Sequence, residues 1–209
     1  KNRRFISYDN PYSSFPFVNP SFREAGYLIF EDVYHDTMFP YSELKNVTQK
    51  SIELSVANGL SKMYVSAASQ NKYSVGEPVF IYRKYNGLGS KMYKSCITSF
   101  CMITNIIQVK KNGKALISFD ELKKRIGNKS VFDSNELKTK YDNYGNMIVF
   151  ELLYYAFFGV GNNINCAWLK NNNLWSKDGG YPTNTKLSSD EFTFILREGK
   201  LDVQNIIID

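Results

Sequence analysis

Histidine is almost absent from this chain, and cysteine is rare. His35 is the single histidine, and Cys96, Cys101 and Cys166 are the three cysteines. A zinc site of the usual spacings needs paired cysteines or a second histidine, and the chain has no C-x-x-C. No metal and no cofactor is therefore expected. Three thiols do not pair off as a disulfide framework, and they read as buried, reduced cysteines of a cytoplasmic protein. Cys96 and Cys101 stand five apart in an apolar strand, so they are expected on opposite faces.

Long apolar runs are missing too. The longest, Ile103–Val109 and Met147–Val160, are interrupted by Asn105, Gln108, Glu151 and Gly159. A membrane helix needs about 20 apolar residues, so no membrane partner is expected. The basic opening "KNRRF" is followed by polar "SYDNPYSS", which is not the pattern of a signal peptide. The first residue is Lys1 and not Met, which leaves room for an upstream domain.

Catalytic motifs are equally scarce. There is no G-x-S-x-G elbow. In "NGLGSK" one residue separates the glycines, where a phosphate-binding loop needs four, so the stretch reads as a turn. His35 has Glu31, Asp32 and Asp36 as neighbours, but a lone histidine is read as a hydrogen-bonded structural residue. These absences argue against an enzyme.

Aromatic residues and cations are what the chain does have. Aromatics make up 15% of it, and 26 Lys and Arg face 20 Asp and Glu, a net charge of +6. That excess permits a polyanionic partner. The 43% of apolar residues suffices for a core, and 209 residues is long for one domain and short for two. The N-terminal "YDNPYSSFPFVNPSF" holds three prolines and five aromatics. Proline at that density blocks helix and ladder alike, so residues 1–31 are read as an arm wrapping the domain, ending in a first strand at 27–31.

Further on, Leu60 and Tyr64 stand four apart and fit one helical face. Pro78 opens a strand from Val79, and "KSCITSFCMITNIIQV" is apolar on both alternations, as a strand buried on both sides is. Val79–Arg83 and Cys96–Thr104 are expected to pair antiparallel across a short turn. "NMIVFELLYYAFF" is another strand. Ser118, Asp133 and Ser188 are each followed three residues later by Glu121, Glu136 and Glu191, the signature of helix starts, with Gly127 and Gly199 as stops. Asn165 caps one more short helix. The fold class is α+β: a curved mixed sheet or small barrel with short peripheral helices.

Between the two central strands, Arg83, Lys84, Lys91 and Lys94 are interleaved with Tyr82, Tyr85 and Tyr93. Nucleic acids take cations for phosphate and rings for bases, so this group is read as one binding face. Trp175 is a further ring candidate.

The order of the pieces resembles the PUA-like superfamily, the small mixed barrels that include the PUA, ASCH and EVE domains. The matching pieces are "YHDTMFPYSEL" (34–44), "ANGLSKMYVS" (57–66), "VGEPVFIYR" (75–83), "CITSFCMIT" (96–104), "IGNKSVFDSNEL" (126–137), "MIVFELL" (147–153) and "GGYPTNTKLSSDEF" (179–192). This chain has Glu77 after Gly76 where the family has Asp, and Cys101 where it has Gly. The resemblance implies a PUA-like domain over 32–209, of the kind that follows acetyltransferase (GNAT) modules in bacterial proteins. It implies a cleft for RNA or for a modified DNA base, with Lys62 and Tyr64 near the basic face; Ser66, in the same piece, is a further candidate. The expected role is a nucleic-acid-binding module directing an upstream effector. The rivals are a non-catalytic C-terminal fragment of an acetyltransferase and a protein-interaction module such as an antitoxin or inhibitor.

Overall fold

A computed structural model describes residues 10–19, 21–40, 59–176 and 180–207. Among the described residues, seven strands form one mixed sheet: β1 (Gly26–Glu31), β2 (Ser61–Ser66), β3 (Pro78–Lys84), β4 (Cys96–Lys111), β5 (Lys114–Ala115), β6 (Met147–Phe157) and β7 (Ile164–Asn165). Their order is β1-β3-β4-β6-β2, with β5 and β7 paired to β4. Only β1 and β3 run parallel; every other pair is antiparallel. The expected pairing of β3 with β4 is present, Val79 opposite Cys101 and Arg83 opposite Cys96. Pro78 is the first residue of its strand, where its missing N–H costs least.

The helices are α1 (Pro11–Ser14), α2 (Asp32–Met38), α3 (Lys91–Lys94), α4 (Phe119–Ile126), α5 (Ser134–Asn143), α6 (Cys166–Asn171), α7 (Ser189–Glu198) and α8 (Val203–Ile206). The start signals work as side-chain caps. Ser118 accepts from Glu121 N, Asp133 from Asn135 N and Glu136 N, and Asn165 from Trp168 N. Ser188 forms the full reciprocal box with Glu191. Gly127 ends α4 at a φ of 54°, a conformation that favours glycine.

The sheet curls until its two ends meet. β1 and β2 lie at opposite ends of the strand order, yet Tyr64 on β2 donates its hydroxyl to Ile29 O on β1 at 3.0 Å. The Tyr64 and Phe30 rings are 4.6 Å apart across this seam. Register shifts in the β3–β4 and β4–β6 ladders bend the strands on the way round. Alternation then sorts the core into three clusters. Inside the curl sit Leu28, Phe30, Val79, Ile81, Cys101, Ile103, Ile148, Phe150 and Leu152. On one outer side Tyr27, Phe80, Tyr82, Ile97 and Phe100 are covered by Leu169 of α6 and by Phe192, Ile195 and Leu196 of α7. On the other, Met63, Val109, Met147 and Val149 lie under α4 and α5. β4 is thus buried on both sides, as its unbroken apolar run implies.

Three expectations need correction. Leu60 and Tyr64 do not share a helix face: Ser61–Ser66 is strand β2, paired to β6. Tyr64 packs against the inner cluster while Met63 and Val65 pack on the outer one, the alternation of a strand. Cys96 and Cys101 do not oppose one another. Tyr82 pairs with Ile97 and Ile81 with Ser99, so Thr98 is an extra residue that resets the alternation. Both thiols fall on the side of the buried charges, Cys96 near Arg83 and Asp36, Cys101 near Lys62. The connection from β3 to β4 is no short turn, since it holds α3. In the expected N-terminal arm, residues 11–14 form a helical turn, and residues 1–9 lie outside the described residues.

Candidate functional site

The cations around the β3–β4 connection divide into two sets. Lys91 and Lys94 are exposed on the loop, beside Tyr93 and Leu88, which are 70% and 91% exposed. Lys94 donates to Leu88 O at 2.7 Å and lies 4.9 Å from the Tyr85 ring centre. Lys84 pairs with Glu31 at 2.7 Å and sits over the Tyr181 ring. Arg83 turns the other way, into the curl, and is buried. Strand alternation sets this split, and the interior side is the one that holds a carboxylate.

That carboxylate is Asp36. Arg83 grips it with two hydrogen bonds of 2.7 Å, from Nε to Oδ1 and from Nη2 to Oδ2. His35 Nδ1 donates to Asp36 Oδ1 at 2.8 Å, which leaves Nε2 to accept from Thr98 Oγ1 at 2.7 Å. Burial lowers the His35 pKa and outweighs the pull of Asp36, so the ring is neutral. Burial opposes the Arg83 charge, but Asp36 prevails and the pKa is raised. All four side chains are almost without solvent contact. The His35 hydrogen-bonding role expected of the sequence is thus the one observed.

Lys62 is also inside the curl. Its Nζ donates to Met38 O at 2.9 Å and lies over the Phe39 and Tyr154 rings. Burial lowers its pKa to about 8. Burial likewise pushes the Cys96 thiol up to about 12 and raises that of Cys101, so these are protonated, unreactive cysteines. Tyr82 and Trp175 pack against each other at 4.9 Å in the outer core, and Trp175 Nε1 donates to Gly180 O. The single face expected of Lys62, Arg83, Lys84, Lys91 and Lys94 is therefore not assembled. Among them, Lys91 and Lys94 are the exposed cations, and the two interior ones hold the fold together.

Tyr64 and Ser66 do share a cavity, at the seam between β1 and β2. It measures about 300 Å³. Tyr64, Tyr73 and Phe150 give it rings: Tyr64 stacks on Phe150 at 6.2 Å, and Tyr73 meets Phe150 edge to face at 5.3 Å. Ser66, Gln70 and Asn184 line it with polar groups, and the exposed Lys72 donates to Asn184. Burial raises the Tyr64 pKa to about 12 and raises that of Tyr73, so both are neutral phenols. Tyr73 Oη donates to Tyr27 O at 2.7 Å, which fixes its ring. A flat polar ring system would find faces to stack on and edge partners of both kinds here.

Sequence reading missed Lys72, Tyr73, Gln70 and Asn184. They come from one polar connection and from the stretch 180–187, and only the curl brings these together. The tyrosine in "NKYSVGEP", next to the glycine turn that starts β3, was the available signal. A second cavity of about 180 Å³ lies on the other side of Tyr64, lined among others by Glu31, Tyr34, Phe132, Lys140 and Tyr144. Among the described residues, no three His, Cys, Asp or Glu side chains are grouped to hold a metal ion. No helix among them is long and apolar enough to cross a membrane.

The curled mixed sheet with short peripheral helices is the α+β architecture that the PUA-like resemblance implies. Two crystal structures are similar to it, ASCH from Zymomonas mobilis and a serine-to-alanine mutant of the same protein. TM-scores are 0.47 and 0.48 at 11% identity, covering 81% of this chain and 92% and 93% of those chains. No family model and no curated protein matches the sequence.

Proposed function

We propose that this domain binds single-stranded nucleic acid and receives one base, unmodified or modified, in the 300 Å³ seam cavity. The observation that carries the reading is the cavity's make-up: three aromatic rings below and Ser66, Gln70 and Asn184 at the edge. Rings take any base by its face, and amide and hydroxyl groups read its edge. Lys72, at the mouth, takes the adjoining phosphate. Lys91 and Lys94 take phosphates further along the strand, where exposed Leu88 and Tyr93 offer apolar contact to unstacked bases. Tyr64 and Ser66 act in the cavity itself. Lys62, Tyr82, Arg83 and Trp175 support the scaffold, and Lys84, paired with Glu31, stands at the rim of β3. The domain itself performs no chemistry in this reading, and it directs an effector in the same protein or a partner.

Titration of labelled single-stranded RNA and DNA tests this. Lys91→Ala with Lys94→Ala should weaken binding of every sequence, and each lost phosphate contact should reduce the log–log salt slope by about 0.7. Gln70→Ala or Asn184→Ala should instead change preference among bases while leaving the salt slope alone. If neither nucleic acid binds the parent chain at low salt, the reading fails.

A further inference from the structure

The smaller seam cavity is lined in part by the protein's own ammonium group, that of Lys140. Lys140, on α5, places Nζ 4.5 Å from the Phe132 ring centre, 5.5 Å from that of Tyr34 and 5.6 Å from that of Tyr144. Tyr34 and Phe132 meet edge to face at 4.9 Å, a contact that helps to orient both rings. Glu31 lines the same cavity and adds a carboxylate near the rings. The rings come from α2, from the segment before α5 and from the residue that ends α5. Three separate positions converging on one cation make a cage.

The occupant fits the cage poorly in one respect. A lysine ammonium carries three N–H donors. Among the described residues, Lys140 Nζ makes one hydrogen bond, to Tyr144 Oη at 3.3 Å, which is long. Lys110 shows the better arrangement: it also lies over a ring, that of Tyr141, but donates to Tyr141 O at 2.7 Å. A ring face is a weaker partner for an N–H donor than water is, so an ammonium entering the cage gives up hydration that a fully alkylated ammonium does not have. The cage therefore suits a cation that has no N–H groups. We propose that Tyr34, Phe132 and Tyr144 form a binding site for a fully alkylated ammonium group, and that Lys140 occupies it until such a ligand displaces it.

The test is titration of the Lys140→Ala chain with tetramethylammonium chloride, followed by shifts in the tyrosine and phenylalanine ring resonances, with ammonium chloride as comparison. Lys140→Gln serves the same purpose if the alanine variant unfolds. Saturable binding of tetramethylammonium at least about tenfold tighter than to the parent is expected, with ammonium far weaker. Adding Phe132→Leu should lose about tenfold. The proposal is overturned if the folded variant shows no saturable binding, if the parent binds equally well, or if the two cations bind alike. It also falls if mass spectrometry finds Lys140 itself trimethylated in the native protein, since the occupant is then its own side chain. Oligonucleotide binding does not enter this readout, so the two sites fail or stand separately.

Discussion

Asp36 links three elements through two neighbours, Arg83 of β3 and, by way of His35, Thr98 of β4. Removing one partner of a buried ion pair leaves the other charge stranded, which typically costs about 3–5 kcal/mol. Asp36→Ala should therefore lose about that much in urea unfolding, whereas Lys91→Ala should stay within about 0.5 kcal/mol. His35 makes a second prediction. Its folded pKa lies below the ordinary 6.5, so the unfolded chain binds more protons as pH falls through that value. Stability attached to the neutral ring is complete above about pH 6.5 and is lost below it. Between pH 7 and pH 5 the parent should lose more stability than His35→Gln, by up to about 1.4 kcal/mol per pH unit below the ordinary value. Equal slopes would show that the ring takes up its proton as readily in the fold as in the unfolded chain, and a gain of stability on acidification would show that it is held charged. At this scale the sequence was readable for His35 and misleading for Arg83. Alternation separates Arg83 from Tyr82 and Lys84, but the sequence does not say which face is interior, nor that Asp36 waits there.

Among the elements, caps were the most legible signals, because they act within four residues. Ser188→Ala removes the Oγ that accepts from Glu191 N, while the Ser188 backbone N–H keeps its bond to the Glu191 carboxylate, and should cost about 1 kcal/mol, read as a lower midpoint of thermal unfolding. Ser118→Ala removes the matching bond from Glu121 N and should cost about as much. β2 was harder to read. Its apolar positions number few, and the partner that makes it a strand, β6, lies some ninety residues on, Ser61 facing Leu153. The bulge at Thr98 escaped for a related reason. An extra residue in a ladder leaves no mark in a run that is apolar on both faces. The β3–β4 connection looked like a tight turn because its glycines suit one, while α3 is a single turn with no capping side chain to announce it.

For the whole molecule, the curl is what converts an ordinary sheet into a candidate site. It brings β1 and β2 together and places Tyr64 between two cavities of different character, one polar and aromatic, the other an aromatic cage closed by a lysine. The mixed sheet and its helices were legible from segment order, but the seam was not, since no local pattern says that the first and last strands of a path will touch. The nucleic-acid reading stands or falls on that seam. The most direct measurement is photo-crosslinking of a single-stranded oligonucleotide carrying 4-thiouridine, with the attached residues mapped by mass spectrometry. The account predicts crosslinks within 64–73, at Tyr64, Tyr73 or their neighbours, lost when Ser66→Trp fills the cavity. Crosslinks confined to the Lys91–Lys94 loop and unaffected by Ser66→Trp would contradict it.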